Sequence, residues 1–138
     1  MPDGLVPMTR GRKVATVLGL VYSVVGIVGF AVSGFDAFAA PRGDILLGFT
    51  VNPLQNLIHL AIGWWLVNEA QAGEPEARRA AFRAAVLILI LGLAGLYVDN
   101  RAPELNFLNV NAAVTVAHLV SALAAFMALL TQRAVSAA

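Results

Sequence analysis

VATVLGLVYSVVGIVGFAVSGF, residues 14–35, is a run of 22 residues without a charge, preceded closely by Arg10, Arg12 and Lys13. A helix needs about 20 predominantly apolar residues to cross the hydrocarbon of a bilayer, and basic residues favour its cytoplasmic flank. The stretch therefore predicts a membrane-spanning helix over about residues 12–35. The whole chain carries the same message. Of its 138 residues, 59% are hydrophobic and 12% charged, with a mean hydropathy of +0.80, whereas soluble domains carry roughly a quarter charged residues. Lipid is the expected solvent.

Working outward, Ile45 to Asn68 is also uncharged and contains Asn52-Pro53 partway along. Asn suits a helix N-cap and Pro the first helical position, so a second helix is predicted over about 53–71. Ile45 to Phe49 is left as an apolar segment at the outer interface. A hydrophilic connector, Glu69 to Arg83, carries Glu74, Glu76, Arg78 and Arg79. The third apolar run, Ala84 to Val98, has only 15 residues and stops at Asp99-Asn100-Arg101. A third span over about 80–98 must take Ala80 to Arg83 as its first turn, with Arg83 reaching for the headgroups. A fourth span is predicted over about 111–131, ahead of Arg133. The expected fold is all-α: a single polytopic membrane domain, 1–138, with four transmembrane helices.

Orientation follows from the basic residues. Arg10, Arg12, Lys13, Arg78, Arg79, Arg83 and Arg133 fall on one side of the four spans and Arg42 and Arg101 on the other. The richer side is cytoplasmic, which places both termini there. Trp64 and Trp65 fit interfacial anchors or core packing. Ala37-Phe38-Ala39 after an apolar run resembles a signal-peptide cleavage site, but the 22 uncharged residues exceed the usual core of about 7–15. Helix 1 is expected to stay in the mature protein.

The two halves match. Val51-Asn52 is followed by His59-Leu60 as Val110-Asn111 is by His118-Leu119, and Gly26-x-x-Gly29 corresponds to Gly92-x-x-Gly95. The pattern predicts two copies of one helical hairpin; since each crosses twice, both enter from the same side as parallel repeats. Gly19, Gly26 and Ser33 recur every seventh position, and with Gly29, Gly92 and Gly95 they predict close helix packing. A dimerisation face or a lipid slot is the sharper alternative.

The helix 2 stretch from Val51-Asn52-Pro53 through Gln55-Asn56 to His59-Leu60 and Gly63 resembles the signature of small four-helix membrane proteins, mainly actinobacterial, grouped as a domain of unknown function. The resemblance covers about residues 10–130 and implies four helices in a bacterial plasma membrane. It implies no activity. In the second half Thr115 stands where the pattern has Asp or Asn, and Ala122 where it has Gly.

Seven residues make nearly two helical turns, so Asn52 and His59 share a face, with His59 about 10 Å deeper; Asn111 and His118 do the same. Asn56 and Thr115 extend each polar stripe. An imidazole in hydrocarbon needs a hydrogen bond, so both histidines should face the protein interior. The plainest expectation is that they fix packing. Haem ligation by the pair, a proton relay and polar-solute binding are the sharper ones. A protein metal site lacks a third ligand, and no cofactor is expected.

No nucleophile with its base, phosphate loop or intramembrane carboxylate pair is evident, so an enzyme is not expected. The net charge of +1 and lack of a long basic run argue against nucleic acid, and the absence of cysteine excludes disulfides and thiol chemistry. The leading expectation is a non-catalytic membrane protein, in contact with lipid, that acts as a homo-oligomer or as an accessory subunit among other membrane proteins. A haem-binding electron carrier and an oligomeric channel or transporter are the alternatives.

Overall fold

A computed structural model describes residues 7–41 and 43–135, with the backbone alone for 132–135. Arg42 and the Arg133 side chain, both used in the charge count, lie outside the described residues. Among the described residues there are four helices: α1 (Arg10–Ser33), α2 (Pro53–Ala72), α3 (Glu74–Arg101) and α4 (Ala112–Val135). A two-stranded hairpin, β1 (Asp44–Leu46) with β2 (Phe49–Val51), and a short 3-10 turn, Pro103–Leu105, complete the fold.

Local chemistry sets the helix ends. α1 stops at Gly34, whose φ of 58° favours glycine and whose amide donates to the Phe30 carbonyl at 2.9 Å. α2 opens on Asn52, whose side chain accepts from the Gln55 amide, with Pro53 in its first turn. Only Gly73, at φ 140°, separates α2 from α3. The hydrophilic connector is thus helical almost throughout, because Pro75 in the first turn and Glu74 and Glu76 at the positive end of the dipole favour a start there. Helix α3 runs 28 residues, about 42 Å at 1.5 Å per residue.

Three helices are long and apolar enough to cross a membrane: Arg10–Ser33, Glu74–Arg101 and Ala112–Thr131. α2 has the length, 20 residues, but Gln55, Asn56, His59, Asn68 and Glu69 lower its hydropathy. The polar residues of its first half turn inward, since Asn52, Gln55, Asn56 and His59 are all buried, while Asn68 near its end is exposed. The outward rows of the other helices are apolar, with Val17 61%, Leu93 53% and Val120 59% exposed. Large apolar side chains thus cover the outside of the helices, and a group of polar ones lies buried between them.

Glycines and alanines let the helices touch. α1 packs mainly on α2 and α3 mainly on α4. A Cβ built on Gly19 would lie 2.9 Å from the Gly63 carbonyl oxygen, and one on Gly63 2.7 Å from that of Gly19. In the core, Ala77, Ala80, Ala81, Ala84 and Ile88 of α3 cluster with Ala15 of α1 and Leu66 and Ala70 of α2. Such close approach maximises dispersion contacts where lipid supplies no hydrophobic drive between helices.

The hairpin between α1 and α2 was not foreseen from the alternation of its residues. Leu47 and Gly48, both at positive φ, form its two-residue turn, matching the primed turns that suit the twist of paired strands. Leu47 is 91% exposed.

Candidate functional site

Pro53 and the Asn52 cap set the phase of α2, so the residue seven positions beyond the cap points inward; Asn111 does the same for α4. Both caps are made: the Asn52 Oδ1 accepts from the Gln55 amide at 2.8 Å and the Asn111 Oδ1 from the Val114 amide at 3.0 Å. Their Nδ2 groups tie down the outer loops. Asn52 donates to the carbonyls of Ala40 and Phe107, and Asn111 to that of Gly48. Asn52 is buried and Asn111 half-buried.

One helical stripe deeper, His59 and His118 meet, with their Nε2 atoms 3.4 Å apart and their rings at 71°. Asn56 and Thr115 do not join this contact. The Asn56 Nδ2 donates to the Ser33 hydroxyl at 2.9 Å. Each of the two instead fills the space above a glycine, Asn56 at Gly29 and Thr115 at Gly95, where a Cβ would collide with it. Gly26 and Gly92 likewise admit Leu60 and Leu119. All five predicted packing glycines, Gly19 included, serve contacts within the chain.

Three further residues complete the centre. Tyr22 stands edge-on to His59, ring centroids 5.2 Å apart at 82°, and lies near-parallel to His118 at 6.4 Å. Its hydroxyl is 3.1 Å from the Ser121 Oγ. Since that serine hydroxyl also reaches the Ala117 carbonyl at 2.8 Å as donor, Tyr22 is the donor between them. Gln55, one turn before His59, is buried beside the pair. The spacing held a signal for Tyr22: it lies three residues after Gly19 and four before Gly26, on the inward face of α1.

The pair has a definite chemistry. A hydrogen bond between two neutral imidazoles requires one Nε2 to carry the proton and the other to accept it. The donor ring then has a bare Nδ1, and the acceptor ring an Nδ1–H. The unit therefore offers one acceptor and one donor at its outer ends, and neither Nδ1 has a partner among the described residues. The Gln55 Oε1 is also buried without one. Buried unsatisfied groups cost about 1–3 kcal/mol each, so three in one place call for an explanation.

Beside them lies a cavity of about 360 Å³, whose lining includes Tyr22, Gln55, His59, His118 and Ser121 together with Val24, Val28, Val114 and hairpin residues Leu46 and Phe49. Its walls are almost wholly apolar. Among the described residues no group of three or more His, Cys, Asp or Glu could hold a metal ion. Were a haem held by this pair, His59 and His118 would be its ligands and the iron would have to enter between their Nε2 atoms, which lie 3.4 Å apart. The touching rings would have to part to allow it.

Outside the apolar part of α3, Glu74 joins the starts of two helices. It accepts from the Thr9 hydroxyl and from the Gly11 and Arg12 amides, the latter two at 3.0 Å. Partial burial pushes its carboxyl up, but those three donors and the charge of Arg78 outweigh this and hold it below the usual carboxylate range.

Helices with apolar exteriors around a small polar interior define the class: a helical protein of membrane type. Within it, the family model described as Domain of unknown function (DUF4383) matches residues 12–131, and the chain belongs to that family. No curated protein and no solved structure matches it.

Proposed function

We propose that this chain is a non-catalytic integral membrane protein that crosses the bilayer four times and binds a lipophilic molecule in the cavity beside His59 and His118. Its four helices would form two parallel hairpin repeats with both termini in the cytoplasm. The single observation that carries the binding reading is the juxtaposition of three buried, unpartnered polar groups with an apolar cavity beneath a membrane-type surface. A guest with a hydrocarbon body and a head that both accepts and donates would satisfy the two Nδ1 atoms and Gln55, while its body replaced lipid against Val24 and Val28.

The duplication is supported by matched environments. Gly26 meets Leu60 as Gly92 meets Leu119, and Gly29 meets Asn56 as Gly95 meets Thr115. Four crossings are supported by α2, which lies within the same helical packing although its own composition is too polar to mark it. The glycine faces are occupied within the chain, so assembly with a second copy or another membrane protein would use the lipid-facing Val and Leu rows.

The test is purification from native membranes in mild detergent, with mass spectrometry of the copurifying lipophiles. Ala117 lines the cavity, and Ala117→Phe should fill it. Enrichment of one lipophile over bulk membrane lipid, lost in Ala117→Phe and in a His59→Leu/His118→Leu double variant, is the expected result. Bulk lipids in membrane proportions, unchanged by Ala117→Phe, would overturn the reading.

A further inference from the structure

We propose a second, separate lipid site: the end of α3 and α4 that bears Arg78, Arg79 and Arg83 holds the phosphate of an anionic phospholipid. This rests on the membrane reading above but not on the histidine cavity. The three arginines line a cavity of about 500 Å³ whose remaining walls are Phe82, Phe126, Leu129 and Leu130. No carboxylate is among its described lining residues.

The arrangement is built rather than incidental. Arg79 and Arg83 are four residues apart and so share a helical face. The Arg78 Nη2 donates to the Leu129 carbonyl at 2.9 Å, which fixes that guanidinium across the α3–α4 seam. Phe82 and Phe126 meet edge-on with centroids 5.5 Å apart and form an apolar floor. Two acids lie nearby: Glu74 caps the start of α1 and feels the charge of Arg78, and Glu76 pairs with Arg79 at 2.8 Å on the exposed side.

Charge and shape together choose the ligand. Guanidinium groups match phosphate oxygens in geometry and charge, and basic pockets between membrane helices hold anionic headgroups. A free phosphate ion would satisfy the arginines and leave the Phe and Leu walls against water. A phosphodiester bearing acyl chains satisfies both, with its head toward Arg79 and Arg83 and its chains along Leu129, Leu130 and the two phenylalanines.

The experiment measures retention of phosphatidylglycerol against phosphatidylcholine on the purified full chain by native mass spectrometry. Arg79→Gln/Arg83→Gln is compared with Lys13→Gln/Arg101→Gln, which removes the same charge elsewhere. The expected result is selective retention of phosphatidylglycerol, reduced roughly tenfold or more in the first double variant and little in the second. Equal losses in both variants would reduce the effect to net charge, and retention of phosphatidylcholine at the same level would remove the headgroup site; either outcome overturns the proposal. Displacement by inorganic phosphate alone, without loss of hydrophobic guests, would assign the arginines to a free anion and also overturn it. Both arginines are exposed, and a helical circular dichroism spectrum matching wild type confirms that the variant is folded. Running Ala117→Phe in parallel separates this site from the histidine cavity: it should leave phosphatidylglycerol retention unchanged.

Discussion

The α1–α2 pair is drawn together backbone against backbone, whereas the α3–α4 pair keeps side chains between its helices. In the first, Gly19 and Gly63 face each other so closely that neither has room for a Cβ. Under the proposed duplication Gly63 corresponds to Ala122 and Gly19 to Ala85, both fully buried alanines. A second difference lies at the histidines. Tyr22 corresponds to Ile88 and Ser121 to Ile62, so a hydrogen-bonded polar pair in one position answers two buried isoleucines in the other. The cavity is lined by Tyr22 and Ser121. The histidine pair thus has a polar side, formed by Tyr22 of α1 and Ser121 of α4 and bordering the cavity, and an apolar side, formed by Ile62 of α2 and Ile88 of α3, the difference expected if a binding site is set into the proposed duplicated scaffold.

The largest effect should come from making the halves alike at the crossing. In Gly63→Ala the new Cβ would lie 2.7 Å from the Gly19 carbonyl and 2.6 Å from the Ser23 amide nitrogen, backbone atoms that cannot swing away. Overpacking of this kind costs about 1–3 kcal/mol. The reverse exchange, Ala122→Gly, relieves no clash and should cost about 1 kcal/mol through helix propensity. Reversible unfolding in mixed detergent micelles would measure both. If Gly63→Ala proved no worse than Ala122→Gly, the tight crossing would be wrong.

Next come the histidines, where the halves meet. His118→Leu leaves the His59 Nε2 buried and unpaired, a loss of about 1–3 kcal/mol, while His59→Leu/His118→Leu removes both partners and should cost less than either single change. The same unfolding measurement decides this by its sign. A double variant as damaged as the sum of the singles would mean that the two rings are not each other's partner.

How much of this could be read in the residues follows from what each reading relied on. The apolar runs marked α1, α3 and α4 because hydrocarbon demands long uncharged stretches. α2 was marked by the uncharged stretch Ile45 to Asn68, with Asn52-Pro53 fixing its start, although its hydropathy alone falls short. His59 and His118 could be singled out because an imidazole in an apolar helix needs a partner, although the partner's identity depends on how four helices pack. Asn52, read both as the α2 cap and as a member of a polar stripe, and Asn111, read only as a member of its stripe, are both caps and loop ties. Tyr22 and Ser121 were missed because a Tyr in an apolar run reads as packing until its neighbour across the protein is known. The hairpin was missed because Ile45 to Val51 lacks the Asn-Gly turn that announces one and carries Leu47-Gly48 instead.

A local effect separates the linked ends of the halves. Glu74 of α3 ties down the first amides of α1, and the corresponding position ahead of α1 offers no acid. Because its carboxyl is held below the ordinary range, its contribution is present at neutral pH and is lost as pH falls through the lowered value. Protection of the Gly11 and Arg12 amides, measured as exchange relative to the intrinsic rate at each pH, should fall on acidification in wild type and be low at every pH in Glu74→Ala, with global unfolding little changed. Protection in wild type that stayed constant with pH would detach Glu74 from the α1 start.

The smallest effect tests the asymmetry most directly. Tyr22→Phe keeps the ring against both imidazoles and removes only the hydroxyl that donates to Ser121. Ser121 retains its own contact with the Ala117 carbonyl, so no donor is stranded, and polar pairs between membrane helices average about 0.6 kcal/mol. Stability should fall by about that amount. Tyr22→Ile goes further and gives the first half the residue found at the matching place in the second. It should cost more, because the ring's contacts with His59 and His118 go with it, and the smaller side chain enlarges the cavity. If the cavity is a binding site, Tyr22→Phe should keep the copurifying lipophile and Tyr22→Ile should lose it. If both variants kept it, the polar side of the histidine pair would owe its difference from the isoleucine side to packing alone.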